Sequence, residues 1–478
     1  MTPVRNALPM SLDLCALGER SGRVGFWLLI AMLSWAPFPL GSNREWSWSL
    51  LVVLTAIIWF FWAIWAQFDL KMQSQNLGRV ALPLALVLGV LVWSLVQTTT
   101  FIPSGWANPV WAEMTGALHR SDRGTITLNR WHTSSEALKL SMYVAVCWLA
   151  FSFGRDAHRA RQLFNAIIAI GAIYALYGFE LEFVGIRQFA LFYNVPQSQL
   201  FLSGPFVLHN SYATFEGLAA LAAISRLLDL AASAIVVSSG FRMWVVTTGR
   251  AIFRSGGAIV VATIFAVSAL IASASRGGCL ATLSGLIVMV MLFLARTRAS
   301  GKVSRMWVGI ISMVAFTALL IWISGDMLAE RLKELFSAEM AKDLRPELWA
   351  ASERMIVSAP LLGLGLGTFK DAYPMYAVRS LPFIMDKAHS DYLEFAAGMG
   401  LPAAICWWSA MGWAAIKMAV GIFVRRRDII YPLTGLGATV LVAVHSLVDF
   451  SLQIPAVAIF YAAILGLSLA QAYSSQAT

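Results

Sequence analysis

"WSWSLLVVLTAIIWFFWAIWA", residues 46–66, decides the fold. The stretch holds no charged side chain, and about 20 apolar residues in helical form cross the hydrocarbon core of a bilayer. Inside lipid every backbone N–H and C=O must be paired within its own segment, so the stretch is predicted to be a helix. It is too long and too uniformly apolar for a strand of a membrane barrel, in which apolar and polar residues alternate over about ten positions.

Outward from this stretch the pattern repeats. The 478 residues are 59% hydrophobic and 13% charged, where soluble chains carry about 25% charged residues. Twelve spans are expected, at 24–40, 46–66, 80–97, 136–153, 163–183, 211–230, 257–274, 279–295, 306–324, 399–424, 430–449 and 454–472. The fold class is therefore an all-α integral membrane protein of about 12 transmembrane helices, with a large outer loop between the ninth and tenth. Residues 1–324 carry the first nine spans and one long outer loop, 98–135; residues 325–398 are the large loop; residues 399–478 carry the last three spans. The first span follows Arg20 and Arg23, as a signal peptide would. It lacks a small-residue cleavage site, since Trp35-Ala-Pro-Phe-Pro follows, and is expected to be retained.

The net charge of +10 does not gather on one soluble face. Basic residues occupy every second connection: Arg20 and Arg23; Lys71 and Arg79; Arg155, Arg159 and Arg161; Arg226, Arg242, Arg250 and Arg254; Arg296, Arg298, Lys302 and Arg305; Arg425, Arg426 and Arg427. This is the positive-inside bias. It predicts both termini in the cytoplasm and argues against a nucleic-acid partner. Cys15, Cys147, Cys279 and Cys406 are far apart and have no metal spacing, so neither a disulfide framework nor a zinc site is expected.

Three connections are too long for simple turns. In the first, "GTITLNRWHTSS" (124–135) has a β-like run and then a helix start, with Thr133 or Ser134 as the cap of a helix beginning near Glu136. Residues 231–256 mix apolar residues with Arg242, Arg250 and Arg254, the pattern of an amphipathic helix on the cytoplasmic headgroups. Residues 325–398 balance acids against bases, as a folded, solvated cap does. Within them "RPELWAASERMIVSAP" (345–360) puts Pro346 in the first turn of a helix. The run "GLGLGTF" (363–369) lacks GxGxxG spacing and reads as a flexible turn, not a nucleotide loop.

Four constellations can carry chemistry. "SASRGG" (273–278) is a small-residue turn between two spans, with Arg276 at its tip near the outer face. An arginine there runs against the positive-inside trend, and its planar fork suits a phosphate or diphosphate; a snorkelling side chain is the plainer alternative. Arg345, between Asp343 and Glu347, reads locally as an ordinary surface ion pair. "DKAHSDYLEF" (386–395) sets His389 among Asp386, Asp391 and Glu394, any of which can orient it as a general base. "HSLVDFSLQIP" (445–455) places His445 and Asp449 four apart on one helix face, as a structural pair or as the floor of a site.

Together these pieces resemble the O-antigen ligase and Wzy-type polysaccharide polymerase superfamily. The matching stretches are "GPFVLHNSYAT" (204–214), "SASRGG" (273–278), "RPELWAASERMIVSAPLLGLGLGTF" (345–369), "AHSDYLEFAAGMGLP" (388–402) and "HSLVDFSLQIPA" (445–456), with "TITLNRWHT" (125–133) similar to the family's pre-helix segment. The resemblance covers about residues 100–470 and centres on 204–456. It implies a multi-pass protein of the bacterial inner membrane with its active site in the periplasm. Such enzymes move a glycan from an undecaprenyl-diphosphate carrier to a sugar hydroxyl, on lipid A–core or on a growing glycan. The transfer inverts the anomeric carbon, without a metal or other cofactor.

By position, Arg276 and Arg345 look like diphosphate-binding arginines and His389 like the residue that activates the acceptor hydroxyl. His209 and Asn210 match in position without an assigned role, and the region of Arg187 matches poorly. The implied partners are the carrier-linked donor, the glycan acceptor, membrane lipids and the polysaccharide assembly machinery. Two other classes stay open: a transporter or flippase for a small anion or a lipid-linked sugar, and a structural subunit of an envelope complex. The ionisable residues gather at the outer ends of the spans rather than at mid-membrane, which favours an enzyme.

Overall fold

The computed structural model describes residues 8–68, 80–119, 123–183, 201–237, 241–251, 256–298, 344–378 and 384–473. The expected span 306–324 and Arg187 lie outside them. Among the described residues all regular structure is helical: α1 (Leu8–Trp35), α2 (Glu45–Phe68), α3 (Ala81–Val96), α4 (Pro109–Leu118), α5 (Arg130–Phe153), α6 (Ala157–Phe183), α7 (His209–Val237), α8 (Phe241–Ala251), α9 (Gly257–Ala272) and α10 (Arg276–Arg298). After these come α11 (Arg345–Ser358), α12 (Phe369–Tyr376), α13 (Asp391–Met399), α14 (Leu401–Val424), α15 (Ile430–His445) and α16 (Pro455–Ala472). Helices α2, α5, α6, α10, α14 and α16 are long and apolar enough to cross a membrane; α3, α9 and α15 are shorter apolar helices.

The long helices form one bundle around α16, in which every residue except Leu465 is buried. Close approach depends on small residues, as in other helix packings within lipid. Gly466 of α16 lies against the Cys147 carbonyl of α5, and Gly285 of α10 against the Gly437 carbonyl of α15. Large apolar side chains face outward on the rim, among them Phe60 of α2 and Ile405 and Ile416 of α14. On a soluble protein such a surface would be a liability; in lipid it is the solvated face.

The two ends of the bundle differ. At one end Arg296 donates to the Arg425 carbonyl (2.7 Å), Arg425 to that of Tyr473 (3.0 Å) and Gln471 to that of Gly154 (2.6 Å). At the other end a cap of α11, α12 and α13 is built on a second small core of Leu348, Met355, Leu364, Phe369, Tyr373 and Ala397. Gln97, buried just beyond α3, ties cap to bundle. Its Nε2 donates to the carbonyls of Leu362 (2.7 Å) and Gly398 (2.9 Å), and its Oε1 accepts from Leu366 N–H (3.2 Å).

The glycine run is a turn, but a fixed one. Gly363, Gly365 and Gly367 all have φ between +71° and +109°, Leu364 N–H donates to Ala397 O and Gly365 N–H to Gly398 O. A side chain on Gly365 would meet Thr127, and one on Gly367 would meet Glu136.

Three local expectations are corrected. Helix α5 starts at Arg130, capped by Asn129, whose Oδ1 accepts from Trp131 N–H (3.0 Å) and His132 N–H (3.2 Å). Thr133 is buried and shares a 2.7 Å hydrogen bond with Thr127 Oγ1, so it cannot cap. The β-like run makes no ladder. Thr127 N–H donates to Gln97 O and Leu128 N–H to Leu364 O, one bond each to a different segment. The amphipathic segment is divided: α7 runs to Val237, and the separate α8 exposes Met243 and Val246 beside Arg242 and Arg250.

Candidate active site

The cap end of the bundle collects the singled-out residues. His389 precedes α13 by two residues, so "AHSDYLEF" is helical only from Asp391 onward. Its φ of +51° is a left-handed conformation that non-glycine residues rarely adopt. Neighbours enforce it. Ala388 N–H donates to Glu394 Oε2 (2.8 Å), Trp349 Nε1 donates to the His389 carbonyl (3.4 Å), and Asp391 N–H donates to the carbonyls of Ser446 (3.0 Å) and Asp449 (3.2 Å). The imidazole stands edge-on to Phe450, centroids 4.8 Å apart, and is 31% exposed.

The carboxylate facing it is Asp449. Nδ1 of His389 and Oδ1 of Asp449 are 3.6 Å apart, an ion-pair distance when the imidazole is protonated. The three acids nearest in sequence are engaged elsewhere or point away. Asp391 accepts from Ser446 Oγ (2.8 Å) and Gln453 Nε2 (3.0 Å). Glu394 holds Lys387 (3.3 Å) and the Ala388 N–H. Asp386 is exposed and acts on Lys387. Burial pushes the Asp391 carboxyl up to about 7, against the bonds from Gln453 and Ser446. It works against the Lys387 ammonium as well, but Glu394, Glu136 and Asp386 outweigh it and hold that amine above its ordinary value. For Asp449 burial favours the neutral acid; the facing His389, His445 and the Phe450 N–H outweigh it and hold the carboxyl below the usual range.

His445 and Asp449 do not share a continuing helix. α15 ends at His445, and a turn through Ser446–Val448, closed by Asp449 N–H to His445 O (2.9 Å), brings the two side chains to 3.9 Å. His445 is buried, with Nδ1 at 2.8 Å from Thr214 Oγ1 and 3.0 Å from Ser451 Oγ. Arg345 and His209 lie within electrostatic reach of it. Arg345 opens α11, one turn before Trp349, so both share the helix face that meets the His389 loop.

Arg276 is the first residue of α10 rather than the tip of the turn; the tip is Ser273–Ser275, with Ala274 at φ +52°. His209 and Asn210, at the start of α7, pin this turn through Nδ1 to Ser273 O (2.9 Å) and Ser275 Oγ to Asn210 Oδ1 (2.7 Å). Gly277 then packs on the His445 ring. One end of the bundle thus brings together His389, Asp449, His445, Arg345 and the Arg276 turn, with His209 and Asn210 behind the turn. Asp391 and Glu394 hold the loop, and Asp386 does not join. Thr214, Ser451, Ser446, Gln453 and Trp349 belong to the site and were not singled out. The only hint of them was polar residues clustered at the ends of apolar runs.

Among the described residues no group of three His, Cys, Asp or Glu is placed to hold a metal ion. An apolar groove of about 600 Å³ runs down the bundle between α2, α3, α5, α14 and α16, past Trp62, Trp148 and Tyr461. Phe395 and Leu452, neighbours of Glu394 and Ser451, line it toward the cap end.

Residues 261–408 match the family model described as O-Antigen ligase. The match spans 148 of the 478 residues and supports the resemblance to the O-antigen ligase superfamily that the motifs carry. The matched segment holds Arg276, Arg345 and His389, whereas His209, Asn210, His445 and Asp449 fall outside it. It covers less than the 204–456 expected from the motifs. A comparison with curated proteins gives no match. The family is one of glycosyl-transfer enzymes that act on lipid-linked glycans in the membrane, and the apolar helices agree with a multi-pass membrane protein.

Proposed function

We propose that this protein transfers a glycan from an undecaprenyl-diphosphate carrier to a sugar hydroxyl in polysaccharide assembly, as a polymerase in preference to a ligase. The reaction lies on the periplasmic side of a twelve-span bundle with both termini in the cytoplasm. The observation that carries the reading is the pairing of His389 with the buried Asp449 at the end of the bundle where Arg276 and Arg345 open their helices. The basic residues of the opposite end, Arg296 and Arg425 among them, support that orientation.

The chemistry follows from charge. The diphosphate gains negative charge as the glycosidic bond breaks, and the guanidinium groups of Arg276 and Arg345 neutralise it. The acceptor oxygen attacks the anomeric carbon from the opposite face and inverts it, while its proton passes to His389. Asp449 stabilises the imidazolium that results. A hydrocarbon chain in the apolar groove would reach Phe395 and Leu452, next in sequence to Glu394 and Ser451 of the site, which supports a lipid-linked substrate. The ionisable groups of the site gather at one end and not at mid-bundle, which favours transfer over transport.

Donor can be extracted from cells lacking this protein, where it accumulates unused, and offered to the purified protein in nanodiscs. His389→Ala is expected to abolish transfer with insertion intact. Near-normal transfer by that variant would end the reading.

A further inference from the structure

His445 stands between the two halves of the site. Its Nε2 is 3.9 Å from Oδ2 of Asp449, and that oxygen is buried without a hydrogen bond in the described structure. A buried, unsatisfied carboxylate oxygen requires an explanation. Nδ1 of His445 is within reach of two hydroxyls, Thr214 at 2.8 Å, which also donates to Asn210 O (3.2 Å), and Ser451 at 3.0 Å, whose hydrogen can be given to the ring. With Nδ1 accepting, the ring carries its hydrogen on Nε2, directed at the orphan oxygen. The opposite tautomer would set a lone pair against a carboxylate.

The same ring edge touches the donor side. A Cβ on Gly277 would lie 3.2 Å from His445 Nε2 and 3.3 Å from Cδ2. The residue after Arg276 is therefore bare where the imidazole packs on it. Both contacts of Asp449, at 3.6 and 3.9 Å, are longer than a hydrogen bond, so a small shift of either ring would close them.

We propose that His445 is a positioning residue that couples the Arg276 turn to the His389–Asp449 pair. The coupling rests on the transferase reading above. Donor binding at Arg276 presses the first turn of α10 onto the imidazole, Nε2–H closes on Asp449 Oδ2, and Asp449 Oδ1 closes on His389. The base is then aligned when a diphosphate is present and loosely held when it is not.

The test uses the full chain in nanodiscs with donor extracted from cells lacking this protein. His445→Gln keeps a side-chain N–H near the Nε2 position, whereas His445→Asn is too short to reach Asp449. The Asn variant is expected to lose about tenfold in kcat with donor KM nearly unchanged, as when an orienting partner is removed, and the Gln variant to recover most of that loss. Gly277→Ala should lower kcat on its own. Combined with His445→Asn it should be no slower than the slower single variant, because both break the same link.

Equal activity of the Asn and Gln variants, or losses that multiply in the double variant, would overturn the coupling. If His445→Asn fails to fold, His445→Gln and Gly277→Ala make the same comparison. His389→Ala, run alongside, separates the two levels. Normal transfer by it removes the transferase reading, while an inactive His389→Ala with silent His445 variants removes only the coupling.

Discussion

Asp449→Asn takes one charge from the site and leaves its shape. The amide keeps an oxygen for the Phe450 N–H, which Oδ1 accepts at 2.8 Å. What disappears is the anion facing His389 at 3.6 Å. Over that distance full charges attract by about 1 kcal/mol in water and about 5 kcal/mol at an effective dielectric of 20. His389 is 31% exposed and Asp449 only 1%, so the pair lies between these limits. A transition state in which His389 has gained a proton should then lose about 2 to 3 kcal/mol, a fall in kcat of about 30- to 150-fold. The assay is single-turnover transfer from lipid-linked donor by protein in nanodiscs, with donor binding followed separately and expected to stay unchanged. Transfer within about threefold of the parent protein, alongside an inactive His389→Ala, would refute Asp449 as the partner of the base.

Arg276→Lys keeps the charge but loses the planar fork, and is expected to cost about tenfold or more in transfer at limiting donor; a mild effect would mark a snorkelling side chain instead. Asp391 has a carboxyl raised from 3.8 to about 7, so the folded protein binds a proton that the unfolded chain releases. The contribution of this group to stability is full below pH ~4 and is lost as pH rises through ~7, and Asp391→Asn should remove that component from the thermal-unfolding profile across the window. A parallel decline in both proteins would show that another group is responsible. Gly365→Ala places a Cβ into Thr127 Oγ1 at a φ of +109°. It should cost about 3 kcal/mol or more and expose the cap to limited proteolysis; an unchanged digestion pattern would contradict the packing of that turn.

The membrane helices were legible because burial in lipid imposes one rule, a long apolar run, that local composition satisfies. The caps and partners were not, because tertiary competition decides them. Thr133 and Ser134 are good cap residues by type, but Thr133 is taken by Thr127, and the duty falls to Asn129. The histidine itself stood out in the sequence, while the carboxylate that faces it was legible only as a neighbour of His445. Asp386, Asp391 and Glu394 lie within five residues of His389, yet the facing group comes from sixty residues away. Asp391 and Glu394 instead hold the loop that presents the ring. The spacing of His445 and Asp449 was a sound clue to their proximity and a poor one to its cause, since a turn and not a helix brings them together. The glycine run was legible as a turn, but its rigidity depends on Thr127, Glu136 and Gln97, which no local pattern connects to it.

Gln97 has a consequence for how the protein is made. Its amide bonds to Leu362 and Gly398, residues 265 and 301 positions further along the chain. At ribosomal speeds of 5–20 residues per second, the wait for Gly398 is about 15 to 60 s after Gln97 is synthesised. Throughout that interval a polar side chain at the end of an inserted helix lacks its eventual partners. The cap end therefore closes late in biogenesis, not before α13 is made, when only α14, α15 and α16 remain to follow. Until then the earlier helices form an open half-bundle, the stage at which quality-control proteases would meet a chain stalled by a defect near its C-terminal end.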